Sequence, residues 1–115
     1  MAREFTTIVL HIDANRTAEF EALFEQEELK RWDDYTRRGR FIEVRLIKCE
    51  VSTLQETGIQ DYVLHIVMAD EHAHHEHDSD PGFESYNKTA DEFQPQEPAV
   101  TFGKVVFERK APDAF

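Results

Sequence analysis

FIEVRLIKCEVSTLQETGIQDYVLHIVMA, residues 41 to 69, holds two strand-like segments in succession with no helix between them. In Phe41 to Val51, Ile42, Val44 and Leu46 alternate with Glu43, Arg45 and Ile47, the two-residue period of a strand. In Gln60 to Ala69, Tyr62, Leu64, Ile66 and Met68 take one face and Val63, His65 and Val67 the other. The polar stretch STLQETG ends at Gly58 and separates the two.

Upstream, EFTTIVLHI (4 to 12) alternates in the same way, with Phe5, Thr7, Val9 and His11 against Thr6, Ile8, Leu10 and Ile12. Asp13, Asn15 and Thr17 then supply turn and N-cap chemistry, and Phe20, Leu23 and Phe24, followed by Trp32 and Tyr35, recur at helical spacing until Gly39. Leu29 falls out of phase, which predicts a kink or break near Glu27 and Glu28. Downstream of Asp70, a His-rich stretch is long enough for two helical turns. Asp80 before Pro81 then gives an N-cap and a first-turn proline. Phe83, Tyr86, Asn87, Ala90 and Phe93 share one face of that helix, QPQEP breaks it, and AVTFGKVVFER (99 to 109) reads as a fourth strand with a bulge at Gly103. The tail APDAF reads as an exposed or partner-contacting end.

The order β-α-β-β-α-β is the split βαβ pattern of an α+β, ferredoxin-like fold, one domain over residues 1 to 115. Two helices cover one face of a four-stranded antiparallel sheet, and the greasier face, Ile8, Leu10 and Ile12 with Tyr62, Leu64, Ile66 and Met68, is the one they suit. The opposite face, Thr7, Val9, His11, Val63, His65 and Val67, is too apolar to stay wet, so a homodimer with sheets packed face to face is expected.

Composition narrows the function. The 115 residues carry 24 acidic and 13 basic side chains, a net charge of −11, and between Asp61 and Glu97 the only base is Lys88. Such a surface repels phosphate backbones, which disfavours nucleic acid and anionic membranes as partners. Hydrophobic residues at 40%, nine of them Phe, suffice for a core. One cysteine, Cys49, excludes an internal disulfide or a Cys-rich zinc site and reads as a small strand residue. No apolar run approaches the roughly 20 residues of a membrane span, and MAREF lacks the pattern of a leader, so a cytoplasmic location is expected. Four glycines build no phosphate-cradling loop or dinucleotide fingerprint.

The run Ala73-His74-His75-Glu76-His77-Asp78-Ser79-Asp80-Pro81-Gly82-Phe83 resembles the A-H-x-x-H-x-x-x-P-x-aromatic motif that opens the second helix of antibiotic-biosynthesis-monooxygenase-like domains. TIVLHIDANRTAEFEALF (7 to 24) is similar to that family's first strand and helix start. The resemblance implies a dimeric α+β barrel with a site in its lumen, cofactor-independent oxygenation of a phenol or quinol, and a substrate-contacting role for His74 and His77. RRGRFIEVRLIKC departs from the family in lacking its small-residue G-C turn, and the insert between the second and third strands is longer than in a minimal member.

Two constellations can carry chemistry. His11 and His65 fall on one side of neighbouring strands among valines, where a dry cavity would leave an imidazole nitrogen able to take a proton; Glu43 and Arg45 lie on the adjoining strand as substrate contacts. Within HAHHEHDSD (72 to 80), His74, His77 and Asp78 fall at i, i+3 and i+4 of a helix, as do His72, His75 and Glu76. Neither trio matches a known zinc motif, so no metal ligand and no cofactor is assigned. The sequence therefore favours a cofactor-free enzyme, monooxygenase-like or isomerase-like, acting on an aromatic, quinol-like or lactone-like small molecule. The alternatives are a non-catalytic dimeric ligand-binding protein and a metal- or haem-handling protein using residues 72 to 80.

Overall fold

A computed structural model describes residues 3 to 112; residues 113 to 115 of the APDAF tail lie outside the described residues. The elements are β1 (Glu4–Asp13), α1 (Thr17–Leu23), a π-helical turn (Phe24–Glu28), α2 (Leu29–Arg37), β2 (Phe41–Lys48), β3 (Ile59–Met68), α3 (Glu71–Asp78), α4 (Pro81–Ala90), a 3-10 turn (Asp91–Phe93) and β4 (Gln96–Gly103). All strand pairs are antiparallel, in the order β2-β3-β1-β4. This is the α+β, ferredoxin-like arrangement that the element order predicts.

Register fixes the two faces of the sheet. Thr7 stands opposite His65, Val9 opposite Val63 and His11 opposite Asp61, so these share one face. Thr6, Ile8 and Leu10, opposite Ile66, Leu64 and Tyr62, turn the other way, towards the helices. There Ile12, Tyr62, Ile66 and Met68 pack with Phe20, Phe24, Trp32, Tyr35, Tyr86 and Phe93 in one buried cluster. The rings meet edge to face, as Phe24 on Trp32 at 4.9 Å and 82°, which adds directional attraction to area burial.

The phase break at Leu29 is a π turn. Phe20, Phe24, Glu28 and Trp32 are all buried at successive steps of four residues. A regular α-helix of 3.6 residues per turn would drift about 40° at each such step, and the wider π turn takes up the excess. Leu29 is consequently outward, 36% exposed, and Glu28 inward, 2% exposed.

Both later helices start on aspartate caps: Asp70 accepts from Ala73 N at 3.0 Å and Asp80 from Gly82 N at 2.8 Å. The chain departs from the sequence expectation at its last strand. β4 begins at Gln96, inside QPQEP, and ends at Gly103 rather than running to residue 109. Pro98 is tolerated because β4 is an edge strand, where a missing N–H need not be replaced. The irregularity expected at Gly103 lies instead between Val9 and His11, where pairing jumps from Ala99 to Gln96. β2 likewise stops at Lys48, short of Val51.

Candidate active site

A cavity of about 280 Å³ lies between the helices and the sheet. Its floor is Thr6, Ile8, Leu10, Leu64, Ile66 and Met68; the π turn and α2 contribute Phe24, Glu28 and Trp32; α3 contributes His74, His77 and Asp78; and α4 contributes Phe83, Tyr86 and Asn87. Val100 and Phe102 of the edge strand, 50% and 54% exposed, flank its mouth.

His77 is the buried polar element of this wall, 5% exposed, with its ring against Phe83 at 4.2 Å, Phe41 at 5.3 Å and Tyr35 at 5.6 Å. Its Nε2 lies 2.9 Å from Glu28 Oε1, and a carboxylate only accepts, so Nε2 carries the proton that this pair shares. Arg31 closes on the second Glu28 oxygen at 3.2 Å, which keeps the buried carboxylate compensated. Gly82 makes room for that guanidinium: a β-carbon there would stand 2.5 Å from Arg31 Nη1. Burial and the nearby Glu28 charge push the Tyr86 phenol above its usual range, so it stays neutral.

His74 stands one turn earlier. Its Nδ1 lies 2.5 Å from Glu4 Oε1 on β1 and its Nε2 lies 2.8 Å from Asp78 Oδ2, and the ring meets Phe102 at 4.4 Å. Asp78 Oδ1 lies 3.5 Å from His77 Nδ1. Carboxylates and imidazoles thus alternate as Glu28, His77, Asp78, His74 and Glu4, from a buried end to the half-exposed Asp78 side chain. The i, i+3, i+4 spacing of His74, His77 and Asp78 therefore brings all three to one wall. Among the described residues, no three His, Cys, Asp or Glu side chains form a group that would hold a metal ion.

The other four sequence candidates lie on the opposite face of the sheet. His11, 3% exposed, is bound through Nδ1 to Asp61 Oδ1 at 2.6 Å, and Asp61 Oδ2 accepts from Ser52 Oγ at 2.6 Å. The insert between β2 and β3 folds back to make this network. His65 stands beside Arg45 of β2, four residues along β3 from Asp61, the partner of His11. At the rise of a strand that separation is about 13 Å, so the two histidines do not converge. Arg45 forms an ion pair with Glu43, both half-exposed. None of His11, His65, Glu43 and Arg45 lines the cavity.

Glu28 and Thr6 are among the cavity residues that the sequence reading did not single out. Glu28 had a signal, the phase break at Leu29, but phase alone does not say that a carboxylate turns inward. Thr6 had one as well, being the single hydroxyl in the row Thr6, Ile8, Leu10, Ile12.

No family model matches the sequence, and comparison with curated proteins returns no match. Solved structures do match. A protein of Caulobacter crescentus assigned as an antibiotic biosynthesis monooxygenase is 16% identical, covers 92% of both chains and superposes with a TM-score of 0.74. A conserved protein of Methanosarcina mazei is 10% identical over 90% of this chain and 93% of its own, with a TM-score of 0.73. SnoaB, a cofactor-independent oxygenase from Streptomyces nogalater, is 17% identical over 96% of this chain and 98% of its own, at 0.67. The chain thus has the fold of antibiotic-biosynthesis-monooxygenase-like domains, as the motif resemblance implied.

Proposed function

We propose that this chain is a cofactor-independent enzyme, monooxygenase-like or isomerase-like, that takes an aromatic, quinol-like or lactone-like molecule into the cavity between helices and sheet. The observation that carries the reading is the buried His77–Glu28 pair in the wall of that cavity. Glu28 fixes the tautomer and stabilises the imidazolium that forms when Nδ1 takes a proton from a phenolic oxygen or an activated carbon. Asp78, reaching both histidines and 51% exposed, offers that proton a way to solvent. The anion left in the cavity isomerises if it is reprotonated at another carbon and is oxygenated if it transfers electrons to dioxygen. The fold shared with SnoaB supports the second branch.

Catalysis therefore moves from the His11 and His65 face to His77, with His74 beside it at the cavity wall. A second copy of the chain over the open face, where Val9, Val63 and His65 are half-buried, is retained as part of the proposal. Oxygen uptake and product analysis across a panel of quinols and lactones tests it. His77→Asn should lose about 10²- to 10⁴-fold in rate with the fold intact, whereas His65→Ala should stay within about threefold of the parent. The reverse ranking would return the chemistry to the open face. Binding without turnover in the parent would favour the ligand-binding alternative.

A further inference from the structure

Each imidazole of the α3 wall has a carboxylate oxygen opposite both of its nitrogens. His77 lies between Glu28 Oε1, 2.9 Å from Nε2, and Asp78 Oδ1, 3.5 Å from Nδ1. His74 lies between Asp78 Oδ2, 2.8 Å from Nε2, and Glu4 Oε1, 2.5 Å from Nδ1. Asp78 thus turns one oxygen to each ring, and four nitrogen-to-oxygen gaps stand in series between Glu28 and Glu4. One proton fills each gap, and two neutral imidazoles bring two, so the row has room for a proton taken from elsewhere. Packing holds the outer ring in line: His74 lies on Phe102 at 4.4 Å and is stacked on His75 at 5.7 Å. Beyond the carboxylates, the rings face Arg31 behind Glu28, Tyr35 beside His77 and His75 beside His74.

A carboxylate alone is a poor next carrier for a proton held on His77. In water an imidazole binds a proton about 400-fold more tightly than an aspartate side chain, about 6.5 against about 3.9 in pKa. Passage from one imidazole to another through the carboxylate between them removes that mismatch. We propose that His74 is the proton store of this site and that Glu4 is the residue that positions it. The substrate proton moves to His77 Nδ1, its bonding pair staying on the substrate, and then to Asp78 Oδ1. A half-turn of that carboxyl, whose side chain is 51% exposed, carries the proton to His74 Nε2. Glu4, at the shorter of the two distances, holds the ring's own proton at Nδ1 and keeps Nε2 open to Asp78. The imidazolium so formed lies between two carboxylates, and it returns the proton by the same path once the substrate anion has reacted. This inference rests on His77 being the base, and it adds where the proton waits and what prepares that place.

Nitrogen-15 spectra of protein labelled at its histidines, recorded across neutral pH with no ligand added, test the arrangement; His74→Gln assigns the His74 signal by its loss. Neutral His74 should be the Nδ1–H tautomer in the parent and shift to Nε2–H in Glu4→Ala, and the same spectra report that the variant is folded. A parent His74 carrying its proton on Nε2, or a tautomer indifferent to Glu4→Ala, overturns the proposal. Turnover of the quinol and lactone panel tests the store itself. His74→Ala should lower kcat about 10²-fold with KM within about threefold, and added imidazole should recover at least about tenfold by taking the proton in solution. A kcat that stays unchanged, or that falls without recovery by imidazole, overturns the store. If nothing in the panel turns over, the enzymatic reading falls, while the tautomer spectra still decide whether Glu4 sets His74.

Discussion

Glu28 and Thr6 are both polar and both buried, yet they stand in opposite energetic positions. Glu28 is compensated by Arg31 and His77, so removing the cation should expose the cost of an isolated buried carboxylate. Arg31→Met is expected to destabilise the fold by about 2 to 3 kcal/mol in urea denaturation, and adding Glu28→Gln should recover most of that loss. Additive effects of the two substitutions would show that the pair is not coupled. Thr6 Oγ1 has no hydrogen-bond partner among the described residues and so has nothing to lose. Thr6→Val should therefore raise stability by about 1 kcal/mol, visible as a higher Tm, and a lower Tm would mean that the hydroxyl is already satisfied.

At the scale of elements, the sequence carried the strands and the later helix well, because two-residue alternation and the Asp80-Pro81 start are local signals. It carried the candidate site only in part. The motif singled out His74 and His77, which the structure brings to one cavity wall, whereas the placement of His11 and His65 depended on how far apart two strand positions fall once register is set, and the alternation pattern holds no such distance. The inward turn of Glu28 depended on a helix widening that no side-chain pattern spells out. One contact between elements gives a pH prediction. Arg38 and Arg40, beyond the end of α2, both bind Glu76 of α3, and the Arg38 hydrogen bond, foremost, holds the Glu76 carboxyl below its ordinary 4.5. A depressed carboxylate stabilises the folded state above its unfolded pKa, and that contribution fades as pH falls through the folded value. Glu76→Gln should therefore flatten the loss of Tm below about pH 4.5, with little change in its slope near neutrality.

At the scale of the whole molecule, all three tyrosines are drawn into the helix side of the sheet and all hold their protons more tightly than usual. Tyr35 is pushed up to about 12 by burial and then by the charges of Asp80 and Glu76, and burial is the leading cause for Tyr62 and Tyr86 as well. An absorbance titration of the folded protein should show no phenolate at the ordinary midpoint of 10.0. The unfolded chain releases those protons first as pH rises, so stability should decline above about pH 10, and tyrosine ionisation should coincide with unfolding. No helix among the described residues is long and apolar enough to cross a membrane. The π turn has a further meaning in terms of inheritance. A gene one codon shorter at Gln26 would space the same buried residues, Glu28 among them, 4-3-4-3, the repeat of an ordinary helix, with every aromatic in the row preserved. What separates that ordinary helix from one with a π turn beside the His77–Glu28 pair would then be a single inserted triplet.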